Sequence, residues 1–233
     1  MQLKTIAENV ARIRERIARA AQRSGRAAER ITLVAVTKYV SAEMVRPLVA
    51  AGCLELGESR PQQLWEKAAA LADLPIRWHL IGHLQRNKVR RTLPLAAIIH
   101  SVDSRRLLAA IDEEASGKGP IPILLEVNVS GESAKHGFSP EQIKPLLAEL
   151  PNYANVSVRG LMCMAGFEGG PQRARRDFDA LRRLRDCLRP SCPPAVTLDE
   201  LSMGMSGDFE EAIEEGATIV RVGSALFEGV DSG

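Results

Sequence analysis

The chain begins with apolar side chains at helical spacing. Ile6, Val10, Ile13 and Ile17 recur at steps of three and four residues among charged neighbours. Residues spaced in this way lie on one face of an α-helix, which can pack that face against a core. The pattern predicts an amphipathic helix over residues 4–23.

Short apolar and β-branched runs recur along the rest of the chain. The first, ITLVAV at 31–36, is almost wholly apolar, which is typical of a parallel strand buried on both faces. Seven further strand candidates lie at 53–56, 76–81, 97–101, 122–129, 156–162, 197–202 and 219–222. The second, fourth and seventh of the eight candidates are short, and the loss of one would favour an open sheet.

Helical patterns separate these strand candidates. Ser139 precedes Pro140, with Gln142 three residues after the serine, and this order is typical of a helix start. Residues 171–189 also open on a proline and place apolar residues along one face.

Strands that alternate with helices predict a parallel sheet with right-handed crossovers. Eight such units in 233 residues favour a closed α/β fold, a (β/α)8 TIM barrel, over an open doubly wound sheet. We expect one domain over 1–233, with the N-terminal helix at about 4–23 and the barrel at about 31–229.

Composition excludes several classes of function for this protein. The formal net charge of +2 is too small to argue for nucleic-acid or membrane binding by bulk electrostatics. The charged N-terminal stretch is unlike a signal peptide, and no apolar run is long enough to span a membrane. The four cysteines form no CxxC pair, which predicts reduced thiols. We therefore expect a cytoplasmic protein.

The βα loops are where a barrel of this kind places its chemistry, because they follow the carboxyl ends of the strands. Lys38 comes directly after the first strand candidate. At the rim of the barrel it would be partly desolvated, which disfavours the ammonium form and frees the amine to attack an aldehyde. The alternative is that Lys38 merely ends a strand and points to water.

The last two loops combine small residues with hydroxyl groups. Gly204, Ser206 and Gly207 follow the seventh strand candidate, and Gly223 and Ser224 follow the eighth. Loops at these positions commonly hold phosphate, with backbone N–H groups at helix starts as donors. The alternative is that the glycines only form turns and that Ser206 caps a helix.

Arg221 lies on the last strand candidate, within VRVG. An arginine there either pairs with a carboxylate inside the barrel or donates to a ligand, because a guanidinium donates and never accepts a proton. An amine, a phosphate site and an arginine at one barrel mouth suit a phosphorylated aldehyde. Pyridoxal 5'-phosphate (PLP) is the commonest cofactor of that kind.

Several segments, in this order, resemble one known family. They are LVAVTK, LGES, WHLIGHLQRNK, NVSGESAKHGF, VRGLMCM and LSMGMSGDFEEAIEEGATIVRVGSALFEG. They resemble the pyridoxal phosphate homeostasis proteins, which are similar to the barrel domain of alanine racemases, the PLP fold type III. The resemblance covers about residues 5 to 229.

The resemblance implies a role for individual residues. Lys38 would carry PLP as a Schiff base, and Arg221 would face the pyridine nitrogen. Ser206, Gly223 and Ser224 would hold the phosphate with Met205 close by, whereas Asn128 and Ser59 would lie near the ring or the open side of the cofactor.

Three positions depart from the family pattern. Ser59 stands where the family usually has asparagine, Tyr39 is bulkier than is typical, and Glu228 is an addition within FEG. None of them is the lysine, the arginine or part of the phosphate loops.

The expected function is PLP storage, buffering or delivery to apoenzymes, without catalysis. Arginine at the ring nitrogen weakens the electron sink, and neither Tyr39 nor Tyr153 stands where a racemase needs its second base. The alternatives are a low-efficiency PLP-dependent racemase or decarboxylase, and a Schiff-base aldolase without cofactor. We expect a monomer. We also expect no metal site, because His79 and His83 straddle a strand end and no third ligand stands near them in the sequence.

Overall fold

Eight parallel strands close into a barrel, and their order around the ring is their order along the chain. The computed structural model describes residues 2–132, 135–166, 170–193 and 196–230. The strands are β1 (Thr32–Val36), β2 (Glu55–Glu58), β3 (Arg77–Leu80), β4 (Ala96–Val102), β5 (Ile121–Glu126), β6 (Val156–Met162), β7 (Glu200–Ser202) and β8 (Ile219–Val222).

Pairing between β1 and β8 closes the ring. Thr32 pairs with Ile219 and Ala35 with Val222, in parallel register. The predicted barrel is therefore confirmed, and the open sheet was the wrong alternative. The prediction that the fourth strand is short was wrong, because β4 has seven residues, whereas β7 is indeed short, with three.

Helices surround the barrel in the usual alternation. They are α1 (Gln2–Arg23), α2 (Ala42–Ala50), α3 (Pro61–Ala70), α4 (Val89–Thr92), α5 (Arg105–Glu114), α6 (Pro140–Glu149), α7 (Gly170–Leu188) and α8 (Phe209–Glu214). Short 3-10 turns at 28–30, 86–88, 150–152, 189–191 and 224–226 complete the helical segments that the structure describes. At the start of α6, Gln142 Oε1 accepts from the Ser139 N–H at 2.9 Å, as the sequence predicts.

The predicted N-terminal helix is confirmed, and its position explains its sequence. α1 contacts α8, α2 and the 3-10 turn after β8. It therefore fills the place on the outside of the barrel that a helix after β8 would take. Its apolar face, which includes Ile6, Val10 and Ile13, is buried there.

The apolar core has two parts. The larger lies between the barrel and its helices. The smaller fills the barrel interior with Val34, Leu124, Met162 and Ile219. Buried polar side chains share that interior, and they are taken up below.

The structure has all four cysteines free, but only Cys53 and Cys163 are buried as expected of reduced thiols, whereas Cys187 is exposed and Cys192 is partly exposed. Among the described helices, none combines the length and apolar character needed to cross a membrane.

Candidate functional site

A cavity of about 880 Å³ opens at the carboxyl ends of the strands. Its volume lies in the range of small-molecule sites. Seven of the eight predicted site residues line it: Lys38, Ser59, Met205, Ser206, Arg221, Gly223 and Ser224. Residues from the loops after β1, β2, β7 and β8 thus meet at one place, as the fold requires.

Lys38 lies at the rim of this cavity and is half-buried. Its Nζ lies 4.8 Å from the centre of the Tyr39 ring, within range of a cation–π contact. Tyr39 itself is 82% exposed. The amine therefore lies between the apolar wall of the cavity and a solvent-exposed aromatic ring.

A buried ion pair fixes the backbone beside Lys38. Lys67 Nζ donates to the Thr37 carbonyl oxygen at 2.6 Å and to Glu58 Oε1 at 2.5 Å. The Thr37 hydroxyl donates to the same Glu58 oxygen at 2.6 Å. Glu58 is fully buried, and its Oε2 has no hydrogen-bond partner among the described residues. The pair anchors the peptide that carries Lys38 to β2 and α3.

The two loops that the sequence assigns to phosphate lie against each other. Ser206 Oγ accepts from the Gly223 N–H at 3.1 Å. The Met205 N–H donates to Asp208 Oδ1 at 2.5 Å, which holds the first loop in a tight turn. Gly204 has φ +90°, and a Cβ there would lie 2.6 Å from the Ala212 Cβ, so only glycine fits.

Arg221 lies at the floor of the cavity and is 4% exposed. Its Nη1 donates to Ser202 Oγ at 2.5 Å, and its Nη2 donates to the Cys163 carbonyl oxygen at 2.9 Å. Burial lowers the pKa of Arg221, yet a guanidinium keeps its charge in proteins. The side chain is therefore a fixed, oriented positive charge.

A buried carboxyl group stands at the end of β5. Burial, with a further contribution from the negative charge of Asp103, raises the pKa of Glu126 to about 7. Arg221 and His83 oppose that rise. Nothing in the apolar pattern of β5 distinguishes Glu126 from an ordinary residue at a strand end, and sequence reasoning missed it.

Asn128 lies outside the cavity lining. Its Nδ2 donates to the Glu132 carbonyl oxygen at 2.8 Å, and its Oδ1 accepts from the Gly131 N–H at 3.1 Å. Its amide thus stabilises its own loop after β5. The position of Asn128 near the ring or the open side of the cofactor stays a prediction.

Three other polar side chains meet at the barrel mouth. His83 Nδ1 lies 2.9 Å and His136 Nδ1 lies 3.9 Å from Asp103 Oδ2. The two imidazole rings stack with centroids 4.7 Å apart and planes 20° apart. The ligand atoms of His83, Asp103 and His136 lie within 4.8 Å of one another, so the fold places two further potential ligands beside His83 where the sequence indicated none.

Residues 2–230 match the family model described as alanine racemase, N-terminal domain. The pyridoxal phosphate homeostasis protein of Pseudomonas aeruginosa is 42% identical over 232 residues, which cover 99% of this chain and 98% of the relative. That of Aquifex aeolicus is 42% identical over 196 residues, or 84% of this chain and 85% of the relative.

Solved structures have the same fold. PipY of Synechococcus elongatus with PLP bound has a TM-score of 0.83 and 34% identity, over 95% of this chain and 99% of PipY. An alanine racemase from Clostridium difficile shares the fold alone, with a TM-score of 0.77, 14% identity, and coverage of 97% of this chain and 56% of the racemase.

The fold and the lysine-bearing cavity define a barrel of the alanine racemase N-terminal type. Within that class, the chain belongs to the family of the pyridoxal phosphate homeostasis proteins.

Proposed function

We propose that this protein binds PLP as a Schiff base on Lys38 and serves intracellular PLP homeostasis by storing the cofactor or delivering it to apoenzymes. The observation that carries the proposal is that the Lys38 amine, the Arg221 guanidinium and the paired serine loops line one cavity. PLP-bound PipY and the names of the curated relatives support it.

The cavity suits the chemistry of the cofactor. Its walls include Val36, Ile81 and Phe227, which offer apolar surface to an aromatic ring. Hydroxyl groups and the Arg221 guanidinium offer donors to a phosphate and a ring nitrogen, and the Lys38 amine lines the same cavity. These groups come from the ends of β1, β7 and β8, so a molecule with an aldehyde, a ring and a phosphate can engage all of them in one cavity.

Each residue has a proposed role. Lys38 Nζ forms the C=N bond with the aldehyde carbon, and the carbonyl oxygen leaves as water. Ser206, Gly223 and Ser224 hold the phosphate beside Met205. Arg221 donates to the ring nitrogen, and Ser59 contacts the open side of the ring.

The cofactor supplies an electron sink when it is bound, and the residues of this chain are poorly placed to exploit it. Arg221 is a donor that never accepts a proton, so it would keep the ring nitrogen unprotonated. Tyr39 is largely exposed on the same rim as Lys38, and Tyr153 packs against the outer core beyond α6. We therefore propose a carrier without racemase activity.

Delivery requires a surface that a recipient protein can cover. Tyr39, Met164 and Met205 are exposed large apolar side chains, and all three line the cavity. Exposed apolar residues grouped at one site mark interaction surfaces. We propose that PLP-dependent apoenzymes dock at this rim while the cofactor is transferred.

Borohydride reduction tests the proposal. Protein mixed with PLP should gain a visible absorption band, which borohydride bleaches, and a digest should place the reduced adduct on the peptide that contains Lys38. The Lys38→Ala variant should form no adduct there. The control Lys144→Ala, which removes an exposed lysine on α6, should behave like the wild type.

Two results would contradict the proposal. An adduct on another lysine, or none in the wild type, would remove the Schiff base from Lys38. Turnover of single-enantiomer amino acids that disappears in Lys38→Ala, seen by chiral analysis, would replace the carrier with an enzyme.

A further inference from the structure

A line of polar side chains, all buried except the partly exposed Glu55, crosses the barrel interior. Glu55 Oε2 lies 2.6 Å from His79 Nε2, and His79 Nδ1 lies 2.8 Å from His100 Nε2. His100 Nδ1 lies 2.8 Å from Ser202 Oγ, which accepts from Arg221 Nη1 at 2.5 Å. The line runs from β2 through β3, β4 and β7 to β8. We call it the Glu55–Arg221 chain.

The two ends of this chain have fixed hydrogen-bonding roles. Arg221 only donates, and an ionised carboxylate only accepts. Burial alone would raise the pKa of Glu55, but the hydrogen bond from His79 and the charge of Arg77 outweigh burial and lower it. Burial lowers the pKa of His100 well below its usual value, so that imidazole is neutral. Glu55 is therefore the acceptor end and Arg221 the donor end.

With both imidazoles neutral, the fixed ends leave one arrangement of hydrogens in which every link is made. Ser202 accepts from Arg221, so its hydroxyl donates to His100 Nδ1. His100 must then carry its proton on Nε2 and donate to His79 Nδ1. His79 likewise carries its proton on Nε2 and donates to Glu55.

The interior of such a barrel is usually filled with layers of branched apolar side chains. A buried polar network stabilises a fold only when all its members are paired, and a network with one missing member costs more than apolar packing. In the Glu55–Arg221 chain every member has a neighbour within hydrogen-bonding distance. The network ends at the Arg221 guanidinium, which lines the cavity.

We infer that Ser202 and His100 are positioning residues, which orient Arg221 toward the cofactor through hydrogen bonds to residues that do not line the cavity. This inference rests on the proposed function, because it assigns Arg221 to the ring nitrogen. Ser202 and the Cys163 carbonyl fix two corners of the guanidinium. Its direction toward the cavity is thereby set before a ligand arrives.

NMR of the cofactor-free protein labelled with ¹⁵N-histidine tests the hydrogen arrangement. His79 and His100 should both show a protonated Nε2 and an unprotonated Nδ1. In Ser202→Ala the His100 signals should shift, because its Nδ1 loses its donor. A protonated Nδ1 on His100 in the wild type would overturn the arrangement. This measurement needs no bound cofactor.

Cofactor titration tests the positioning role. Ser202→Ala should weaken PLP binding about tenfold, the usual effect of losing one hydrogen bond to a charged group. The control Thr92→Val removes a buried hydroxyl that bonds Trp65 outside the barrel, and it should bind like the wild type. His100→Gln serves as a second variant, because it loses the acceptor that faces Ser202.

The outcomes separate the two proposals. Wild-type affinity in both Ser202→Ala and His100→Gln, with the adduct still on Lys38, would overturn the positioning role and leave the proposed function standing. If the wild type binds no PLP, the proposed function and the positioning role both fail, and the histidine spectra alone decide the hydrogen arrangement. Thermal melting of each variant against Thr92→Val separates lost folding from lost orientation.

Discussion

At the scale of single residues, the buried pair of Lys67 and Glu58 decides where Lys38 stands. Both side chains are almost inaccessible to solvent, and together they hold the backbone of Thr37. A buried pair need not add net stability, but breaking it leaves a charge without compensation. The pair can therefore fix the position of Lys38 even if it adds little to the free energy of unfolding.

Removal of the cation should reveal this dependence. Lys67→Met leaves Glu58 buried and unpaired, and we expect it to lower the free energy of unfolding by about 3 kcal/mol, measured by urea denaturation. The double variant Lys67→Met with Glu58→Gln should recover part of the loss, because no charge is then buried. If the single and double variants are equally unstable, the unpaired charge is not the cause.

At the scale of elements, α1 supports the site from the outside of the barrel, although it precedes the barrel in the sequence. Asn9 Nδ2 donates to the carbonyl oxygens of Leu226 at 3.1 Å and Glu228 at 2.9 Å. These carbonyls lie just after the turn that carries Ser224. The extra Glu228 contributes a second link at the surface, because its carboxylate pairs with Arg12 at 2.6 Å.

The buried Asn9 amide and the exposed Arg12–Glu228 pair should differ in their effects on stability. Asn9→Ala removes both amide bonds, and we expect it to lower the free energy of unfolding by about 2 kcal/mol and to weaken PLP binding through the Ser224 turn. Arg12→Ala removes the exposed pair with Glu228 and one part-buried hydrogen bond to Asn9 Oδ1, so its loss of stability should be smaller, about 1 kcal/mol. Equal effects of the two substitutions would contradict this assignment.

At the scale of the whole molecule, Glu126 links global stability to pH. Its pKa of about 7 in the fold lies above the ordinary 4.5, so the folded protein favours the neutral carboxyl group. This contribution to stability is fully present below pH 4.5 and is lost as the pH rises through about 7. A rise of this size corresponds to roughly 3 kcal/mol.

Glu126→Gln stays neutral at every pH and should not show this loss. In urea denaturation at pH 5 and pH 8, the wild type should lose more stability than the variant as the pH rises, by up to about 3 kcal/mol. Parallel pH profiles for the two proteins would mean that Glu126 is ionised in the fold without cost.

The sequence by itself determined the barrel and most of the cavity. Apolar runs that alternate with amphipathic helices fix a parallel sheet, and parallel strands bring their carboxyl ends to one face. Lys38, Ser206 and Ser224 follow strands and Arg221 lies near the end of one, so the four could be placed together from their positions in the sequence. Such positions follow from local periodicity, which the sequence displays directly.

Only the tertiary structure decided which polar side chains meet inside the barrel. His79 and His100 lie on different strands, and Ser202 lies a further hundred residues along the chain, so no local pattern links them. Lys67 contacts Glu58 from a helix whose sequence resembles an ordinary surface helix. The Asn128 amide donates to the backbone of its own loop. Contacts of this kind depend on strand register and side-chain direction, which closure of the ring fixes and apolar spacing does not encode.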